Sequence, residues 1–223
     1  MDDTHSSTES GSGVGPVPKV VAARLSLYAR ELQHLVQQGQ ETINSAQLGK
    51  RLGVTDAQVR KDLANFGQFG YPGIGYRCAE LAEQIRRILG TTDSWAVVLV
   101  GVGSLGQALL RYRGFGERGF RIVSAVDIDA HKVGRMVATV RVRPMEELES
   151  LLREHDIRIA ILAVPAAVAQ RVAQQLVAAG IAGILNFAPV TLALSDEVAV
   201  AGVDLAIELE QLVFAVVKKG VKP

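Results

Sequence analysis

From position 21 onward, apolar side chains recur at helical spacing: Val21, Leu25, Tyr28, Leu32, Leu35 and Val36 fall on one helix face. Gly39 supplies the stop. The stretch NSAQLGKRLGVTDAQVRKDLANF then predicts two short helices, with Ser45 and Thr55 as N-caps, a tight turn at Gly53, and Val59 and Leu63 facing inward. After it, residues 66–77 set glycines between aromatics, as a tight hairpin with positive φ at its turn requires. A further amphipathic helix carries Cys78, Leu81, Ile85, Ile88 and Leu89 on one face, which places Cys78 in a core. Residues 90–94 read as a linker.

Beyond Trp95 the period changes. The unbroken apolar run 96–100 predicts a buried strand, which enters Gly101-Val102-Gly103-Ser104-Leu105-Gly106 and then a helix. A second strand over 120–126 ends at Asp127. A strand near 137–142, a helix over 145–154, a strand over 158–164 ending at Pro165, a helix over 166–179 and a strand over 181–187 follow. This alternation predicts an α/β fold with a doubly wound parallel sheet. The last helix, over 203–218, sets Leu205, Leu209, Leu212, Val213, Val216 and Val217 on a broad apolar face that asks for a partner. The expected organisation is a disordered tail over 1–16, a winged-helix unit over 17–90, a dinucleotide-binding unit over 91–202 and a terminal dimerisation helix over 203–223.

Composition narrows the class. At 48% apolar in 223 residues, the chain can build a core in each unit. A single cysteine excludes an intramolecular disulfide, and no apolar run is long enough for a membrane span or signal sequence, so a reducing cytoplasm is the expected compartment. The formal net charge of +1 does not announce a nucleic-acid binder, but residues 17–90 hold ten Arg or Lys against six Asp or Glu.

That surplus marks the segment as the candidate electrostatic footprint, and its helix pair is a helix-turn-helix. In this motif the second helix enters the major groove, so Gln58, Arg60, Lys61 and Asn65 are the side chains available to bases and phosphates. Ser45, Lys50 and Arg51 on the first helix, with Tyr71 and Arg77 on the wing, complete the candidate DNA-contacting set. Short helix pairs also occur in ordinary helical domains, and the wing is what separates the two readings.

The glycine loop has its own chemistry. Gly101 makes the turn, Gly103 lets backbone approach a pyrophosphate, and Gly106 lets helix and strand pack closely, the signature of a Rossmann fold. Asp127 stands where an acid accepts hydrogen bonds from the adenosine ribose, favouring NAD over NADP. Asp129 is expected to cap the following turn. The strand-end loops Val164-Pro165 and Asn186-Phe187 are apolar apart from Asn186, which suits a dry wall for a nicotinamide ring. None of His5, His34, His131 or His155 falls on these loops, and no metal-ligand cluster or general base stands out. A dinucleotide site without a catalytic site points away from an enzyme, although a dehydrogenase, a subunit of one, or an NADH-controlled scaffold stays open on these residues alone.

From about Pro18 to Val217 the sequence closely resembles the Rex family of redox-sensing repressors. The resemblance is carried by VRKDLANFGQFG at 59–70, GIGY at 73–76, GVGSLGQAL at 101–109, YRGFGERGF at 112–120, VPAAVAQ at 164–170 and AAGIAGILNFAPV at 178–190. It implies a homodimer with exchanged C-terminal helices that binds a pseudo-palindromic operator, as double-stranded DNA, when NADH is scarce relative to NAD+ and leaves it when NADH binds. Respiratory and fermentative genes would be the targets. It also implies a switch in which Asp204 contacts either Arg30 of the first helix or Tyr112. Ser104 in the glycine loop and Val126 before Asp127 depart from the family's frequent residues without removing a required glycine or the acid.

Overall fold

The structure, a computed structural model, describes residues 18–220, so the expected tail over 1–16 lies outside the described residues. The chain divides into two compact units between Thr92 and Asp93.

The first unit is built on helix α1 (Lys19–Gln37), whose Val21, Leu25, Tyr28, Leu32 and Leu35 are buried. The chain turns at Gly39 (φ +78°) into the short strand β1 (Thr42–Ile43). Helices α2 (Ser45–Leu52) and α3 (Asp56–Ala64) follow, joined through the left-handed Gly53. The N-cap of α2 is not the expected Ser45 but Asn44: its Oδ1 accepts from the Gln47 amide at 2.8 Å, and Gln47 Oε1 accepts from the Asn44 amide at 3.0 Å. The reciprocal pair satisfies two helix-end donors, which a Ser45 cap could not do with Leu48 three residues on. Thr55 caps α3 as expected, accepting from the Gln58 amide. Gly49 packs the two helices close, since a Cβ there would lie 2.5 Å from the Val54 carbonyl oxygen.

The wing also departs from expectation. Tyr71 and Gly75 exchange two backbone hydrogen bonds around a tight turn, but the returning strand β2 (Tyr76–Arg77) pairs antiparallel with β1. The outgoing arm makes no strand because Phe66 and Phe69 are spent packing on the core. Gly75, at φ +90°, is required there: a Cβ would sit 2.6 Å from the Ile43 carbonyl oxygen. Helix α4 (Cys78–Ile88) closes the unit with Cys78, Leu81 and Ile85 buried.

The second unit is a seven-stranded sheet in the order β5-β6-β4-β3-β7-β8-β9, where β3 is Trp95–Val100, β4 Phe120–Asp127, β5 Met136–Val137, β6 Val140–Pro144, β7 Ile159–Leu162, β8 Gly183–Asn186 and β9 Ala199–Gly202. Every pairing is parallel except β5 with β6. Strand alternation divides the core: Val98 and Val100 pack with helices α6 (Leu148–Glu154) and α7 (Ala166–Ala178), whereas Val97 and Leu99 share the opposite face with Leu109 and Leu110 of α5 (Ser104–Arg111).

Three strand expectations are corrected. The single strand over 137–142 is a small hairpin, β5 and β6, turning at Ala138 (φ +52°). No Gly or Asn marks that turn, so pattern alone reads through it. The strands over 158–164 and 181–187 are shorter, Ile159–Leu162 and Gly183–Asn186. Strand β9, too short and small-sided to register as a pattern, adds an edge to the sheet. Helix α8 (Leu205–Lys218) is capped by Asp204, whose carboxylate accepts from the Ala206 and Ile207 amides, and none of its residues is buried.

Candidate functional site

In the second unit the sheet changes winding direction beside β3, because β4 lies on one side of it and β7 on the other. Ligands of doubly wound sheets lie beyond the carboxyl ends of strands at this point. There the structure has a cleft of about 580 Å³ that brings together Gly101, Gly103, Asp127, Val164 and Pro165. Gly101 sits at φ +94°, and a Cβ on it would collide with the Ala163 carbonyl. A Cβ on Gly106 would collide with the Gly101 carbonyl oxygen, so α5 packs against the loop only with glycine there. Gly103 differs: a Cβ on it would meet nothing within 4 Å. Its backbone faces open space, and as N-cap it offers α5 no side-chain cap. Exposed Ser104 and Leu105 form the first turn of α5, whose amides lack intrahelical partners and suit an anion.

Asp127 closes the cleft. Its Oδ2 accepts from the Val102 amide at 2.7 Å and from Lys132 Nζ at 3.1 Å, and its Oδ1 from the Asp129 amide at 2.9 Å. Burial pushes this carboxyl up, but the two amides and the Lys132 ammonium outweigh it and hold its pKa below the usual carboxylate range. Asp127 is therefore a fixed negative charge, with lone-pair capacity left on Oδ1 for a hydroxyl donor. Val102, a loop candidate, is buried and serves through its amide to hold Asp127. Asp129 caps the next turn as expected, accepting from the His131 amide. Lys132 escaped sequence reasoning, since only the fold returns it to the end of β4.

Asn186 and Phe187 lie elsewhere. Asn186 is buried; its Nδ2 donates to the Ala188 and Val190 carbonyls and its Oδ1 accepts from the Ala188 amide, so the side chain pins its own loop. Both amide protons are used, and the expected polar contact from this loop is not available from Asn186 Nδ2. Phe187 is half-buried on the α5 face of the sheet. Tyr112 is exposed and meets Phe115 edge-on at 5.1 Å.

In the first unit, Lys50, Lys61 and Asn65 are exposed, and neither lysine forms an ion pair among the described residues. Arg60 bonds Asp56 and Ser45 Oγ, Arg51 pairs with Glu31, and Arg77 bonds Glu80 and lies over the Tyr71 ring, 5.0 Å from its centroid. Such exposed pairs are weak and can exchange for phosphate. Gln58 is half-buried and donates to Asp62 Oδ1 at 2.7 Å. Arg30 is exposed and unpaired by any carboxylate among the described residues. These residues also contain no cluster of groups able to hold a metal and no helix long and apolar enough to cross a membrane.

Two family models match. Residues 16–64 match a putative DNA-binding protein N-terminus, and residues 92–190 match a CoA binding domain. Over 198 residues, 89% of this chain and 95% of the relative, the sequence is 49% identical to the redox-sensing transcriptional repressor Rex of Carboxydothermus hydrogenoformans. Among solved structures, RSP in complex with β-NAD+ and operator DNA superposes with a TM-score of 0.86 at 34% identity, covering 92% of this chain and 95% of that one. RSP in complex with β-NADH gives 0.83 at 33% identity, covering 92% and 96%. Fold and relatives together define a winged-helix unit joined to a Rossmann-like unit, the architecture of a ligand-controlled transcription regulator. The chain belongs to the Rex family of redox-sensing transcriptional repressors.

Proposed function

We propose that this chain is a cytoplasmic homodimeric repressor that holds a pseudo-palindromic operator when NADH is scarce and releases it when NADH binds. The observation that carries this reading is the cleft at the switch point, where the open Gly103 backbone, the uncapped start of α5 and the ionised Asp127 meet. The pyrophosphate would lie over Gly103 and the first turn of α5, and the adenosine ribose would donate to Asp127 Oδ1. The apolar Val164 and Pro165 would flank the nicotinamide side. NADH and NAD+ differ there by one hydride and one charge, so a dry wall favours the neutral reduced ring.

Lys50, Lys61, Arg60 and Asn65 would meet the operator, with Tyr71 and Arg77 of the wing beside the backbone. The exposed apolar surface of α8 supports a dimer, as a two-fold operator requires. The switch residues would be Asp204, Arg30 and Tyr112. Release requires that NADH bind the DNA-free conformation more tightly than the DNA-bound one, because equal affinity shifts nothing. The deciding experiment is a mobility shift on sheared genomic DNA with excess NAD+ or with NADH. Specific fragments that NADH releases support the repressor; no specific shift in either state overturns it.

A further inference from the structure

Among the described residues of the first unit, one charged side chain is buried: Asp62, on the inner side of the recognition helix, 1% exposed. All its acceptor capacity is used. Oδ2 accepts from Arg24 Nε at 2.5 Å and from the Tyr28 hydroxyl at 2.8 Å, and Oδ1 accepts from Arg24 Nη2 and Gln58 Nε2, both at 2.7 Å. Burial pushes the carboxyl up, but the Arg24, Tyr28 and Gln58 hydrogen bonds and the Arg24 charge carry it below the ordinary range, so it is ionised. Arg24 and Tyr28 both belong to α1.

Burial has no direction of its own, and side-chain packing restricts the angle of α3 to α1 to a small set with wide scatter. A planar guanidinium gripping both oxygens does fix it. Helices α2 and α3 are packed close at their joint, where Gly49 lies hard against the Val54 carbonyl. Two directional ties join that helix pair to α1, the exposed single-pronged Arg51–Glu31 pair, which is weak, and the buried Asp62 carboxylate, gripped at both oxygens. Helix α1 presents Tyr28 to the Asp62 tie and Arg30, two residues and about 200° further round the helix, to the opposite side, exposed and without an ion pair among the described residues.

We propose that Asp62 is a positioning residue through which α1 sets the seat of the recognition helix, so that an NADH-dependent displacement of α1 reaches Arg60 and Lys61 through this carboxylate. The proposal rests on the reading that NADH lowers operator affinity.

The test uses the full-length dimer and a labelled duplex carrying a fragment selected by the wild type. Operator affinity is measured by fluorescence anisotropy with saturating NAD+ and with saturating NADH, and the ratio of the two dissociation constants is the readout. Asp62→Asn keeps the shape and removes the charge. It is expected to bring the ratio down by about tenfold while the NADH affinity of DNA-free protein stays within about twofold. A loss of folded first unit lowers both operator affinities alike and leaves the ratio untouched, so a merely structural role does not move it. Arg24→Lys, which keeps the charge and loses the two-pronged grip, covers the case in which Asp62→Asn fails to fold, and is expected to reduce the ratio by about threefold or more. Tyr28→Phe keeps the grip and is expected to retain the wild-type ratio. A wild-type ratio preserved in both Asp62→Asn and Arg24→Lys overturns the proposal alone. A wild-type ratio of one overturns the functional reading, and the proposal with it.

Discussion

Replacing Gly103 by alanine tests the dinucleotide site with little damage to the fold. The residue sits at φ −75° and ψ −166°, which any residue adopts, and a Cβ there meets nothing within 4 Å. As the N-cap of α5 it has no side chain to lose, so the change costs less than about 1 kcal/mol of stability. The ligand feels it differently. If the pyrophosphate rests on this backbone, a methyl group displaces it and weakens a charge-assisted hydrogen bond worth about 1.5 to 3 kcal/mol. That converts to roughly a ten- to hundredfold rise in Kd for NADH. Calorimetric titration with NADH and a thermal unfolding curve on the same sample separate the two effects. Gly101→Ala and Gly106→Ala serve as contrasts: their Cβ atoms collide with the backbone of Ala163 and Gly101, so both should melt early. Unchanged NADH affinity in a Gly103→Ala protein that melts like the wild type refutes the placement of the phosphates.

Three further outcomes follow from the same geometry. Lys61→Ala should weaken operator binding across sequences and reduce the slope of log affinity against log salt by about one, with NADH affinity unchanged; an unaltered slope removes Lys61 from the phosphate contacts. Asp204→Ala loses a cap worth about 1 kcal/mol to α8 yet should sediment as a dimer, and its operator affinity should no longer respond to NADH; normal release would dismiss Asp204 from the switch. Asp62 has its folded-state pKa lowered, so its native state holds fewer protons than the unfolded chain, and its stabilisation is complete above about pH 4 and lost as pH falls through the folded value. Denaturant titrations from pH 7 to pH 3 should show that loss in the wild type and a shallower one in Asp62→Asn; parallel curves would contradict it.

What the sequence displays is what local period and local chemistry can encode. The run 96–100, the glycine loop and Asp127 stand at the ends of the strands where the alternation put them, because each is set within a few residues of its own element. The faces of α1 and α4 are legible too, except that Val36, expected on the α1 face, is exposed at the helix end. Contacts made across the chain are not legible. Nothing near Asp62 announces that Arg24 and Tyr28, 38 and 34 residues earlier, will fill its oxygens, or that Gln58 donates to the same carboxylate. Asn186 is similar: one polar side chain on an apolar loop suggests a ligand, and its pattern does not disclose that the same amide satisfies the loop's own backbone. The wing's turn was encoded by its glycines, but its pairing partner, β1, lies on the far side of the helix pair.

Helix α8 decides how the proposed signal must be delivered. Leu205, Ile207, Leu209, Leu212, Val213, Phe214, Val216 and Val217 are all between 37% and 64% exposed, on every side of the helix. Covering such side chains is worth on the order of 1 kcal/mol each, counted once for each copy of the helix in a dimer. If α8 forms the dimer contact, tearing it apart to leave an operator would cost more than NADH could return through a coupling of a few kcal/mol. On the proposed dimer, the subunits would stay joined when NADH binds, and the nucleotide would have only their mutual posture to alter: two reading heads that keep company but no longer fit one turn of the double helix.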